Sequence, residues 1–142
     1  FIIYFLYNFF LITPYQYTYL NSFNGKAENR YQKFENDYWG ASVYELIKNA
    51  SFDDSKSIKL ATCGVPAETV KIYLTEKGYY KFEFTHPEES DYIIMTNRVT
   101  TIGKNYTDVI NKLTNCFDKF KGNNIFEVKR GGMLLSVIRK LN

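Results

Sequence analysis

The chain has 142 residues, 45% hydrophobic and 23% charged, enough for one hydrophobic core and too short for two ordinary domains. Those proportions exclude a wholly disordered chain and a protein built only of membrane spans. With 18 Lys and Arg against 15 Asp and Glu, the net charge of +3 is too balanced to imply a nucleic-acid partner, which needs a concentrated basic face.

Aromatic residues reach 18%, from 13 Tyr, 12 Phe and 1 Trp, alongside frequent Asn, Lys and Ile. Much of that is a compositional background. The distribution of charge is more informative, because no Asp, Glu, Lys or Arg occurs from Phe1 to Gly25. The first 12 residues, Phe1 to Ile12, are apolar except for Asn8 and the Tyr hydroxyls. As a helix they would span roughly 18 Å, short of the roughly 30 Å hydrocarbon core of a bilayer. They lack the basic start and small-residue cleavage site of a signal peptide. We read residues 1–13 as the end of a transmembrane helix whose remainder lies upstream; a buried core helix is the alternative. Pro14 ends the run, and Tyr15, Tyr17 and Tyr19 alternate beyond it. Such amphipathic rings concentrate at the headgroup level, which puts the interface near Pro14, though the same alternation also describes an edge strand.

Residues 14–40 form a juxtamembrane aromatic and polar segment, and residues 41–142 the soluble domain. Asp37-Tyr38-Trp39-Gly40 precedes a capping-box pattern, Ser42 with Glu45, that opens a helix through about Asn49 with Val43, Leu46 and Ile47 on its apolar face. Ile58 to Cys63 alternates as a strand. Pro66 to Lys77 follows as a helix, with Pro66 at its first position and Gly78 as its stop. Tyr79 to Phe84 completes a βαβ unit, which requires parallel strands and a right-handed crossover. Asp91 to Thr96 is a continuous apolar run suited to a strand buried on both faces. Val109, Ile110, Leu113, Cys116, Phe117 and Phe120 make one helical stripe, placing a helix between Thr107 and Phe120. Ile125 to Lys129 and Met133 to Arg139 flank Arg130-Gly131-Gly132 as an antiparallel hairpin. The expected fold class is α/β: a small domain with a mixed sheet of about five strands, a βαβ unit and a C-terminal β-hairpin.

Pro14-Tyr15-Gln16-Tyr17-Thr18-Tyr19-Leu20-Asn21, then Phe34 to Ser42 with its Asp-Tyr-Trp-Gly block, resembles the junction between the last membrane helix and the C-terminal region of certain bacterial polytopic glycosyltransferases, the family 39-like or dolichyl-phosphate-mannose-protein mannosyltransferase-like enzymes. Ile125 to Arg130 and Leu135 to Leu141 are similar to their C-termini. The resemblance implies a parent enzyme of the bacterial inner membrane that transfers a sugar from a polyprenyl-phosphate carrier, with this domain in the periplasm. It also implies that the catalytic carboxylates lie on loops among early membrane helices, outside this chain, so no residue here receives a catalytic role. The implied partners are the membrane and, through the missing region, the polyprenyl-phosphate-sugar donor. Lys26, Arg30 and Lys33 near the membrane end point the other way, toward the cytoplasm, by the positive-inside rule.

Asp37, Tyr38 and Trp39 are the candidate binding residues, a carboxylate with two aromatics that could hold a sugar by hydrogen bonding and stacking. The plainer reading makes Asp37 a helix cap and packs Tyr38 and Trp39 between the domain and its stem. A Trp39 ring fully buried there would make Trp39→Ala cost about 3 to 5 kcal/mol. The lone His86 reads as a solvated loop residue, and no metal or cofactor is expected in this region. Cys63 and Cys116 could pair in an oxidising compartment, but both positions favour small buried hydrophobes. Gly64-Val65-Pro66 lacks a dinucleotide fingerprint. The alternative function is a membrane-tethered α/β binding or interaction module without catalysis.

Overall fold

The structure is a computed structural model that describes residues 2–16, 26, 37, 39–52, 56–101 and 113–141. The alternating run Ile58–Cys63, β1, pairs in parallel with two later strands. Helix α3, Ala67–Glu76, carries the chain from β1 to β2, Phe82–Phe84, and a one-turn helix at Pro87–Glu89 precedes β3, Tyr92–Thr96. The C-terminal hairpin of β6, Asn123–Arg130, and β7, Met133–Lys140, adds antiparallel to β3. The five-stranded sheet therefore runs β2-β1-β3-β7-β6, mixed in direction, as the α/β reading expects. Gly131 and Gly132 turn the hairpin with φ of 54° and 80°, values that side-chain-bearing residues avoid.

Helix α2, Ser42–Asn49, buries Val43, Leu46 and Ile47 against β6, β7 and α3. The main core lies between this helical layer and the sheet, with Ile58, Leu60, Val70, Leu74, Ile94 and Ile138 in it. Helix α3 starts one residue later than its sequence implies, because Pro66 is still extended at ψ 138°. The Gly78 amide bonds to Thr75 O and the Tyr79 amide to Leu74 O, which closes the helix where the glycine stop predicts. The Lys77 ammonium reaches across to Ile47 O at 3.0 Å and to Ala50 O, so α3 satisfies the carbonyls at the end of α2. Strand β2 is shorter than Tyr79 to Phe84. The Tyr79 hydroxyl oxygen instead accepts from the Phe52 amide, and its ring meets Phe52 edge-on.

A smaller core covers the other sheet face and explains why β3 is apolar without alternation. Ile93 and Met95 join Ala61, Cys63, Cys116, Phe117 and Val137 on that side, while Ile94 faces the main core. The helix expected between Thr107 and Phe120 is corrected where it is described. Leu113–Asn115 is a strand, β5, paired antiparallel to β4, Val99–Thr101, and only Cys116–Lys119 is helical, as α4. The Asn115 side chain accepts from the Phe117 amide at 2.9 Å and sets the helix start there. The part of that expected helix from 107 to 112 lies outside the described residues. Cys63 and Cys116 are buried but not free: they form a disulfide, with Cα atoms 5.8 Å apart. The ribbon of β4 and β5 delivers Cys116 to the end of β1, a proximity that the spacing of the two cysteines does not contain.

Helix α1, Ile2–Leu11, ends before Pro14 and buries none of its residues. It is not a core helix: Ile2, Ile3, Tyr7 and Phe10 are all well exposed. Its one amide side chain, Asn8, donates back to Tyr4 O at 2.8 Å, leaving a surface of apolar and aromatic groups. No helix among the described residues is long and apolar enough to cross a membrane.

Candidate functional site

Asp37 and Gly40 form a turn closed by a 3.0 Å bond from the Gly40 amide to Asp37 O, with Gly40 at φ 66°. The Asp37 carboxylate is fully buried and accepts from the Ala41 and Ser42 amides, each at 3.0 Å, and from the Ser42 hydroxyl. It therefore satisfies the first free amides of α2, which is the capping function of a carboxylate beside a helix start. The capping box drawn from Ser42 and Glu45 is not what forms. Ser42 is already inside the helix and turns its hydroxyl to Asp37, and Glu45 is engaged elsewhere.

Trp39 is 80% exposed, which corrects the expectation that it packs the domain against its stem. Tyr38 lies outside the described residues. Trp39→Ala should consequently change stability by about 0.5 kcal/mol or less, read by urea unfolding followed by circular dichroism. A loss above about 2 kcal/mol would mean the ring is covered in solution.

The stem is instead fixed by residues that no sequence pattern links. Ile12 and Tyr15 are buried in the main core, so the Tyr15 ring is covered by the domain itself, while Tyr17 and Tyr19 lie outside the described residues. The Tyr15 hydroxyl donates to Glu45 Oε2 at 2.8 Å. Arg130 Nη2 donates to both carboxylate oxygens of Glu45, at 2.7 and 2.6 Å, its Nε donates to Thr13 O at 3.0 Å, and its guanidinium lies 5.5 Å from the Tyr15 ring centre. One arginine thus ties the hairpin tip, α2 and the chain leaving α1. Partners 85 residues apart left no local signal beyond an arginine opening a Gly-Gly turn.

The electrostatics follow from this geometry. Burial pushes the Glu45 carboxyl up, but the hydrogen bonds from Arg130 and Tyr15 and the Arg130 charge outweigh it and hold the group below its ordinary 4.5. Burial, then the bond to Glu45 and its charge, push the Tyr15 phenol well above its ordinary range. A carboxyl lowered on folding stabilises the fold fully above its unfolded value and loses that contribution as pH falls through the folded one. Glu127, lowered beside Lys129 and Asn124 despite its burial, shares that window. Glu45→Gln should therefore cost about 1 to 2 kcal/mol at neutral pH and shrink, without abolishing, the stability lost between pH 7 and about pH 3. Parallel urea midpoints at the two pH values for both proteins would check this; an unchanged pH dependence would contradict the clamp.

Elsewhere on the surface, one shallow groove of about 180 Å³ lies between Tyr44, Lys48, Tyr73, Glu76 and Lys77, and another of about 240 Å³ beside Lys56, Asp91, Tyr92 and Lys140. Neither holds a pair of facing carboxylates. His86 sits in an exposed loop, 3.9 Å from Glu88, and the described residues include no group of three or more His, Cys, Asp or Glu placed to hold a metal ion. Fold and junction together define a small mixed α/β domain, disulfide-bonded, carried on an exposed apolar helix. No family model, no curated protein and no solved structure matches the chain.

Proposed function

We propose that this chain is the C-terminal, periplasmic accessory domain of a bacterial inner-membrane glycosyltransferase that moves a sugar from a polyprenyl-phosphate carrier, with the catalytic carboxylates on loops among early membrane helices outside it. The observation that carries the membrane attachment is α1, an uncharged apolar helix none of whose residues is buried, while the domain clamps the residues directly after it. Such a surface is stable in lipid and costly in water. The Cys63–Cys116 bond supports the oxidising side of the membrane over the cytoplasm, against the lysines and arginine near the stem. The transferase assignment rests on the resemblance of the junction and C-terminal segments. In this reading the domain stabilises the membrane bundle or helps hold the acceptor, and polyprenyl-phosphate sugar meets the missing region.

The test is made on membranes from cells expressing the complete reading frame. Protease added to spheroplasts should cleave the domain. Those membranes should transfer sugar from a polyprenyl-phosphate donor, and neutralising an acidic residue of the first outer loop should abolish the transfer. A reading frame with a single apolar segment, and membranes without transfer, would instead leave a tethered binding module without catalysis.

A further inference from the structure

We infer that the end of the sheet carrying Trp39 and the Gly131–Gly132 turn faces the bilayer, with the Trp39 ring seated among the lipid headgroups; this rests on the reading of α1 as a membrane helix. The argument starts from strand directions. Because β1 and β3 are parallel and β7 is antiparallel to β3, the C-terminal ends of β1, β3 and β6 and the start of β7 meet at one end, with Cys63 beside Met95, Thr96 beside Ser136, and Arg130 beside Met133.

Both the turn and the stem belong to that end. A Cβ on Gly40 would stand 3.4 Å from Val65 Cγ2 and 3.7 Å from Thr96 Cγ2, which seats the Asp37–Gly40 turn over the ends of β1 and β3. A Cβ on Gly131 would stand 3.2 Å from Ile12 Cγ2, and Arg130 holds Thr13 O, so the chain enters α1 beside the hairpin tip. With nothing in α1 buried by the domain, a bilayer that takes in this helix draws that same end toward it.

Trp39 suits the position. It is exposed at 80% on a turn held by the buried Asp37 carboxylate, so the ring is presented on a rigid mount. An indole has an apolar body and one N–H donor, the combination that places tryptophan at the boundary between acyl chains and headgroups. Among the described residues after α1, the other exposed large hydrophobic side chains lie elsewhere: Tyr80 and Ile125 are at the far end, before β2 and early in β6, and Tyr44 and Ile72 are on the helices. Strand β1 alone, six residues, separates the two ends by about 20 Å.

Trp39 is the single tryptophan, so its fluorescence reports this site alone. The 142-residue chain would be incorporated into phosphatidylcholine–phosphatidylglycerol vesicles, some with lipids brominated high on the acyl chain. The expected result is co-flotation, a blue-shifted emission, protection from acrylamide and loss of emission in the brominated vesicles. A variant carrying Trp39→Phe and Tyr80→Trp moves the reporter to the far end and should float with vesicles but keep its emission. Failure to co-float would overturn the membrane reading of α1 and the orientation with it. Co-flotation with an unquenched, acrylamide-accessible Trp39 would overturn the orientation alone. Protection from acrylamide without quenching by brominated lipid would show a protein contact in place of lipid, and equal quenching of both reporters would show another orientation; either overturns the inference.

Discussion

Replacing both Cys63 and Cys116 by Ala is expected to lower the unfolding free energy by about 4 kcal/mol. The two cysteines are 53 residues apart, and in the chain-entropy view a cross-link closing a loop of that size removes about that much freedom from the unfolded state. The cross-link also staples α4, a single helical turn, onto the second face of the sheet, where Phe117 and the cysteines complete the smaller core. Arg139 also holds α4 there, donating to Phe117 O at 2.7 Å and to Phe120 O. The midpoint of thermal unfolding should fall by on the order of 10 °C, and reduction of the unmutated protein should reproduce the shift. An unchanged midpoint after reduction would mean that the bond is not formed in solution.

Asp37→Ala should be the most damaging single substitution around the candidate site, at roughly 3 kcal/mol. The loss joins a missing helix cap to a buried Ser42 amide and hydroxyl deprived of their shared acceptor, and to a part-buried Ala41 amide. Ser42→Ala removes only the hydroxyl bond and should cost about 1 kcal/mol, and the two substitutions together should cost less than their sum because they share one contact. Urea unfolding of the two single variants and the double variant measures this directly. A loss below about 1 kcal/mol for Asp37→Ala would remove the cap from the account of the turn. The geometry also bears on the sugar-binding expectation for Asp37: its carboxylate is fully buried and accepts from three internal donors, so it faces the helix start and not a ligand.

The legible parts of the fold were those in which local pattern and tertiary role coincide. Ile58 to Cys63 had to alternate to serve two different cores, Pro66 and Gly78 bracket α3, and Gly131-Gly132 fits one kind of turn. The segment near Cys116 reads as a longer helix because Leu113, Cys116, Phe117 and Phe120 match helical spacing, but pairing of Leu113–Asn115 with β4 outweighs that periodicity. At the candidate site, Asp37 was readable as a cap from its place before α2. The exposure of Trp39 was not, since an indole beside a helix start carries no mark of which way it faces.

The amino-acid sequence by itself determined that an uncharged apolar stretch precedes a charged α/β domain, and it determined most of that domain's strands and helices, because period, turn residues and charge distribution are local properties. Only the tertiary structure decided that α1 stays outside the core, that Arg130, Glu45 and Tyr15 clamp its exit, and that Cys63 meets Cys116. The clamp and the disulfide join residues dozens of positions apart, and such meetings are set by strand order and register, which emerge only when the whole sheet closes on its two cores.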